Sequence, residues 1–305
     1  DVKPEGPFGD HLGYYSLTHD FPVLKVKKVY AKENAIWPFT VVGRPPQEDS
    51  QFGALIHAIT GKAIEKEIPG LKAVNAVDEA GVHPLLLAVG SERYTPYNPT
   101  KMPQELLTIA NHILGTGQMS LAKYVFICDE NSAPDVNDEK AYFTHFLERV
   151  NWKRDLHFQT KTTIDTLDYS GDGLNEGSKV VIAAAGEIKR KLSENFSEIE
   201  LPLGFFNPKL VSNGNLVVEG KGELKDLISS LEKQNLERIG LITLVDDASF
   251  VSENFSNWIW VTFTRSNPAN DIYGLNSKYI NKHFSCSIPI IDARIKGNHS
   301  PILKR

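Results

Sequence analysis

Residues 123–155, KYVFICDENSAPDVNDEKAYFTHFLERVNWKRD, open on an apolar run closed by two acids, cross a polar loop and enter a stretch with apolar residues at helical spacing. A buried strand followed by a helix is the expected outcome. Residues 241–271, LITLVDDASFVSENFSNWIWVTFTRSNPAND, repeat that order of events. Asp129 and Asp155 lie 26 residues apart, and Asp246 and Asp271 lie 25 apart. A loop rich in Gly, Ser and Asn and a second apolar run follow each copy, SKVVIAAAG in the first and SIPIIDARIK in the second. Two related α/β modules are therefore predicted.

Upstream of the first copy, LKAVNAVDEAG and HPLLLAVGSERY read as strands, and PQELLTIANHILGTG as a helix entered at Pro103 and stopped at Gly115 and Gly117. Before them, residues 48–68 place Phe52, Leu55, Ile56, Ile59 and Ile64 near helical spacing, with Asp49 or Ser50 as the cap. Residues 21–42 alternate apolar and polar side chains and break at Lys32, Glu33 and Asn34, which predicts two strands and a turn. The Pro45-Pro46 pair after them marks residues 43–50 as a domain junction.

The balance of 33 basic and 38 acidic residues leaves a net charge of −5, so no global positive field exists to hold a nucleic acid or an anionic membrane. No apolar stretch approaches the roughly 20 residues that span a bilayer, and the first residues resemble no export signal, so a cytoplasmic protein is expected. Cys128 and Cys286 are too few for a disulfide framework or a zinc cluster. The chain begins at Asp1 and enters a dense Gly/Pro/aromatic motif within a few residues, with nothing before it to pack against. A piece of a longer protein is the expectation.

Asp168, Ser170, Asp172 and Gly173 occupy calcium-loop positions, but the twelfth position is Lys179 where calcium needs a bidentate Glu. A glycine-rich turn is the better account. Gly115-x-Gly117 follows a helix instead of preceding one, so it lacks the setting of a phosphate loop. His283 and Cys286 have chelating spacing without a second pair. None of the residues of this chain is assigned to a metal. Glu5 and Asp10 are different: two acids bracket Gly6-Pro7-Phe8-Gly9, a turn in which glycine admits close backbone approach and proline stiffens the chain. Held rigidly, one acid can stay charged against a cation while the other carries a proton. Two solvated acids on a glycine turn are the bland alternative.

Glu5-Gly6-Pro7-Phe8-Gly9-Asp10-His11-x-Gly13-Tyr14-Tyr15, followed by Val41-Val42-Gly43-Arg44-Pro45-Pro46-x-Glu48-Asp49, closely resembles the signature of UbiD-type decarboxylases, the 3-octaprenyl-4-hydroxybenzoate carboxy-lyase family. Further matches are Gly115-Thr116-Gly117-Gln118-Met119 before Lys123, the run from Leu244 to Asp247, Thr264-Arg265-x-Asn267-Pro268-Ala269-x-Asp271, and Ile291-Asp292-Ala293. Residues 130–235 match least. The resemblance implies reversible, non-oxidative decarboxylation of aromatic or α,β-unsaturated acids with prenylated FMN, a divalent metal, usually Mn2+, and K+ at the flavin phosphate. Glu5 would be the acid that hydrogen-bonds an arginine, Asp10 the acid that exchanges the proton replacing CO2, and Lys123 a contact to the cofactor phosphate. In the family that arginine and the metal and phosphate ligands lie upstream of the EGPFGD motif, so the chain resembles a C-terminal half.

The expected fold is mixed α/β: residues 1–45 end a split β-barrel flavin-binding domain, 46–70 form a connecting helix, and 71–305 form a C-terminal α/β oligomerisation domain with a duplicated module. Residues 130–235 are an insertion or the first module copy. The full-length protein is expected to be a cytoplasmic homo-oligomeric carboxy-lyase of the kind used in quinone synthesis, supplied with cofactor by a flavin prenyltransferase. This piece alone is expected to be inactive. A non-catalytic assembly subunit is the alternative, though such a subunit has no need of both acids around an intact turn. A hydrolase built on the two carboxylates lacks a supporting histidine or metal motif.

Overall fold

In the computed structural model, which describes residues 1–39, 41–98, 100–195 and 199–303, the first residues form a short antiparallel ribbon. It pairs β1 (Val2–Glu5) with β2 (His19–Pro22) and sets Glu5 opposite His19. The strand pair expected over 21–42 makes no ladder beyond Pro22 among the described residues. Its alternating side chains find no facing sheet: Leu24, Val26, Val29, Ile36, Trp37 and Phe39 all stand exposed. Alternation becomes a strand where one face is covered. No closed barrel is present among the described residues.

α1 (Glu48–Glu67) fills the predicted helix. Its cap is Gln47 instead of Asp49 or Ser50, because the Ser50 hydroxyl accepts the Gln47 backbone N–H at 2.9 Å from the third helical position. From there the chain builds β3 (Leu71–Ala76), β4 (Leu85–Gly90), α2 (Glu105–Leu114), β5 (Tyr124–Asp129), α3 (Glu139–Arg149), β6 (Leu156–Thr162) and β7 (Gly177–Ala184). The end of the first predicted strand, Asp78–Ala80, turns as a 3-10 helix, closed by Gly81 at φ 80°. The order β3-β4-β5-β7-β6 has three parallel strands flanked by two antiparallel edges. β4, β5 and β7 are buried along their whole length, as central parallel strands must be, and β3 and β6 are half exposed.

The second unit comprises β8 (Phe205–Ser212), β9 (Asn215–Gly220), α4 (Leu224–Leu231), β10 (Leu241–Val245), α5 (Ala248–Glu253), α6 (Phe255–Thr264), α7 (Pro268–Asp271), β11 (Ile272–Leu275), β12 (Lys278–Ile280), β13 (His283–Ser285) and β14 (Ile288–Asp292). Its sheet runs β8-β9-β10-β14-β11, again three parallel strands between antiparallel edges. β5 corresponds to β10, α3 to α6 and β7 to β14, which is the duplication predicted from residues 123 and 241 onward. Residues 130–235 contribute β6 and β7 to the first sheet and β8 and β9 to the second.

Strand alternation separates three cores. Leu85, Leu87, Tyr124, Phe126 and Val180 face inward with Val217 and Val245 of the second sheet, and α3 and α6 fill the space with Phe143, Phe146, Trp258 and Phe263. On the far side of the first sheet, Leu86, Ala88, Val125 and Ile127 meet Leu106, Ile109 and Ile113 of α2. On the far side of the second, Leu216, Val218, Ile242 and Leu244 meet Leu227 and Leu231 of α4. Phe143 and Trp258 join the copies edge to face, with ring centroids 5.0 Å apart. The Trp152 ring N–H donates to Gly240 O at 2.8 Å.

Candidate functional site

The Gly6–Tyr15 turn is held by its own backbone and by α6. Ser16 N donates to Phe8 O at 2.8 Å, Phe8 N donates to Ser16 Oγ at 3.1 Å, and Gly13 N donates to Asp10 O at 2.9 Å. Gly6 at φ 96° leaves only 2.8 Å between a notional Cβ and Leu17 O, so a side chain there would collide with backbone. Gly13, at φ 83°, seats the turn on Trp260 of α6, and the buried Tyr14 hydroxyl donates to Thr264 O at 2.8 Å. The chain end closes over the turn, with Tyr15 N bonded to Pro301 O and Leu303 N to Gly13 O. The turn that carries Asp10 is therefore a rigid platform on the second module, while Glu5 lies just before it on the ribbon.

Glu5 is exposed on the ribbon and Asp10 is half-buried on the turn. Asp10 Oδ1 accepts the His11 backbone N–H at 2.7 Å and meets His11 Nδ1 at 2.8 Å. Burial pushes the Asp10 carboxyl up, but the His11 ring and backbone bonds outweigh it and hold it below its ordinary value. Burial alone would lower His11, yet the bond to Asp10 and the charges of Asp165, Asp10 and Asp49 raise it. Behind this pair His83 Nδ1 is hydrogen-bonded to Asp165 Oδ2, and the His11 and His83 rings meet edge to face at 5.9 Å.

Lys123 lies elsewhere, fully enclosed at the start of β5. Its ammonium contacts Asp168 Oδ2 at 2.8 Å, Ser170 Oγ at 2.7 Å and Ser266 O at 2.7 Å. All three N–H donors are thus engaged inside the chain. The calcium-like loop has acquired a lysine: Asp168 Oδ1 also accepts Ser170 N and Oγ, while Lys179 turns to Ser120 O and Ala122 O. Burial pushes the Lys179 ammonium down to about 8.

The other motifs of the resemblance brace the fold. Asn267 Oδ1 accepts Ser178 N at 2.9 Å across the modules, and Asp271 accepts Asn267 N at 2.7 Å. Asp247 caps α5 through Phe250 N at 2.9 Å. Arg44 donates to Asn257 Oδ1 and lies over the Phe250 ring at 5.2 Å, tying the junction to α6. Sequence reasoning assigned no role to His11, His83 or Asp165. Only the histidine beside Asp10 lay within a motif, and the other two are 72 and 154 residues further along the chain.

Residues 1–45 match the family profile described as the 3-octaprenyl-4-hydroxybenzoate carboxy-lyase Rift-related domain, and residues 50–184 match the C-terminal domain of the same family. A protein of Chlamydia trachomatis serovar D is 38% identical over 95% of this chain and 48% of its own length. A Chlamydia pneumoniae protein named as a 4-hydroxybenzoate decarboxylase component is 36% identical over 97% of this chain and 49% of its own. The chain spans about half the length of the curated relatives it matches. Among solved structures, the closed form of Sedimentibacter hydroxybenzoicus vanillic acid decarboxylase superposes with a TM-score of 0.51, covering 66% of this chain and 40% of that one at 21% identity. The likeness is one of fold. No helix among the described residues is long and apolar enough to cross a membrane.

Proposed function

Since the chain belongs to the UbiD family of 3-octaprenyl-4-hydroxybenzoate carboxy-lyases, we propose that it supplies the acid side of a site that decarboxylates an aromatic or α,β-unsaturated acid. The observation that carries this reading is the Asp10 turn. Glycines at Gly6 and Gly13, the Tyr14 anchor and the closing chain end hold one carboxylate in place, and both of its hydrogen bonds fall on Oδ1. Oδ2 has no donor among the described residues.

The chain fits a bound flavin in part. Phe8, Leu17 and Phe21 stand exposed around the turn, the kind of surface that a planar aromatic group covers. Lys123 is enclosed and offers no anchor to a phosphate. The phosphate, the Mn2+ and the K+ would be held by the part of the relatives' length that this chain does not span. That part would also cover the exposed apolar residues 24–39.

Prenylated FMN, when bound, supplies the electron sink that loss of CO2 requires and side chains lack. Asp10, a carboxylate in the free chain because of His11, takes up a proton at Oδ2 once substrate and flavin exclude water from around it. It gives that proton to the carbon that releases CO2, so the substrate carboxylate leaves as CO2 and a C–H bond replaces the C–C bond. In the carboxylation direction Asp10 takes the proton back. Glu5 accepts a hydrogen bond from a cation that another part of the protein provides and orients it toward the substrate carboxylate. Neither acid distinguishes one ring from another, and membership of the family supports aromatic acids as the substrate class. A flavin prenyltransferase supplies the cofactor, and association into homo-oligomers would go through the α/β half.

The test uses the full-length protein co-expressed with a flavin prenyltransferase and offered a panel of hydroxylated benzoates. Release of CO2, with solvent deuterium entering at the vacated carbon, is expected. Asp10→Asn should lower turnover about 10²- to 10⁴-fold while the flavin spectrum persists. Flavin-loaded protein that neither releases CO2 nor exchanges deuterium with any member would leave an assembly subunit as the reading.

A further inference from the structure

Three segments far apart in sequence deliver nitrogen and oxygen donors to one point. The ligand-capable atoms of His11, His83 and Asp165 all lie within 4.8 Å of one another. His11 comes from the amino-terminal turn, His83 from the turn before β4, and Asp165 from the loop between β6 and β7. We propose that these three side chains bind a divalent first-row transition ion of the zinc class, which pins the Asp10 turn to the first sheet.

The donor set points to that class of ion. Two imidazoles and one carboxylate suit zinc, cobalt or ferrous ions, whereas calcium and magnesium prefer oxygen throughout. An ion bonded at about 2.1 Å to each donor separates tetrahedral ligand atoms by about 3.4 Å, so the direct His83–Asp165 hydrogen bond has to open for the ion to enter between them.

The surroundings are arranged as a metal site requires. Asp10 Oδ1 holds His11 Nδ1 at 2.8 Å, which leaves Nε2 as the free nitrogen. A carboxylate behind a ligating histidine fixes both its tautomer and its orientation. Asp165 Oδ1 is occupied by the Leu167 N–H at 2.8 Å, so its other oxygen serves the cluster. The side chains of His11, His83 and Asp165 are 13%, 22% and 9% exposed, enclosed enough to exclude bulk water and open enough to admit an ion. Carboxylates of Asp165, Asp10 and Asp49 press on His11, a field that attracts a cation.

A second, independent feature lies in the backbone. Val82, immediately before His83, has φ 70°. A β-branched residue in the left-handed region is an outlier, and such strain collects where the surroundings require one geometry. Val82 lies in the tight turn that carries His83, where Val82 N bonds Val77 O and His83 N bonds Gly81 O. The cluster needs no flavin and no substrate, so the decarboxylase reading can fail without affecting this one.

The full-length protein, stripped with a chelator, would be titrated with Co2+ and then Zn2+. One equivalent of Co2+ beyond that bound by Asp165→Asn or His83→Asn is expected, with the visible absorption of a low-coordinate nitrogen and oxygen site, displaced by Zn2+. In each variant affinity at this site should fall at least tenfold, and the metal-free melting point shows whether the variant is folded. Anomalous scattering from Co2+-soaked wild-type crystals gives an answer without any variant: a peak between His11, His83 and Asp165 is expected. A titration without the extra equivalent, uptake unchanged in both folded variants, or a peak only elsewhere would each leave a hydrogen-bonded network and overturn the proposal.

Discussion

The Lys123 ammonium sits 2.8 Å from the Asp168 carboxylate with both side chains enclosed, and Ser170 and the Ser266 carbonyl complete its shell. Burial works against the charged lysine, and Asp168 works for it. Such a pair adds little net stability over an apolar pair of the same shape, but breaking it strands a charge. Lys123→Met is therefore expected to cost about 3–5 kcal/mol in urea unfolding. Adding Asp168→Asn should recover part of that loss. A Lys123→Met protein with an unchanged unfolding midpoint would show that the charge is not stranded.

The same residue shows what the sequence carried and what it withheld. Alternating apolar runs announced β5 and β10, the helices after them and the duplicated order, because a strand buried on both faces has to be written as a continuous apolar segment. Lys123, after the Gly115–Met119 motif, is implied by the family resemblance as a contact to the cofactor phosphate. Its partner lies 45 residues later in a loop that composition read as a turn. Residues 21–42 mislead for the opposite reason: the alternation is present, but among the described residues no sheet faces it, and the ladder there ends at Pro22. Glu5 and Asp10 were legible because the motif is local. His83 and Asp165 were not, since their meeting depends on how β4 and the β6–β7 loop are placed.

Gly13 sits at φ 83°, and a Cβ there would lie 2.5 Å from Trp260 Cζ2. Gly13→Ala has to strain the backbone and displace the indole. A loss of about 1–3 kcal/mol is expected, measured by denaturant titration, and the Asp10 turn should loosen with it, seen as faster amide exchange at Gly13 and Tyr15. An alanine variant as stable as wild type would mean that the turn is free to move off α6.

Acid should weaken the fold before its carboxylates titrate. Burial pushes His145, His157 and His299 down to about 4 from an ordinary value of 6.5. Their folded pKa values are depressed, so the unfolded chain takes up protons first as pH falls through 6.5. Stability is complete above that value and is lost as pH drops toward 4. Melting points measured from about pH 7 down to about pH 4.5 should fall steadily over this window. Both ring nitrogens of His299 lack partners among the described residues, and its ring lies edge-on to Tyr14 at 5.9 Å. His299→Phe keeps the ring contact and removes the titrating group. It should raise stability by about 1 kcal/mol at neutral pH and flatten the acid limb, and an unchanged limb would assign the proton uptake to other groups.

The tryptophans report on the face that residues 24–39 present. Trp37 is 90% exposed, while Trp152, Trp258 and Trp260 are buried. In the chain by itself, a neutral quencher should reach one emitter readily and three poorly, and Trp37→Phe should remove the accessible component. An exposed aromatic surface of this size usually meets a partner. If the remaining half of the relatives' length covers it, Trp37 becomes protected in the full-length protein and its emission moves to shorter wavelength. If Trp37 stays equally quenchable there, the apolar face is not an interdomain surface, and the cover assigned to residues 24–39 has to be given up.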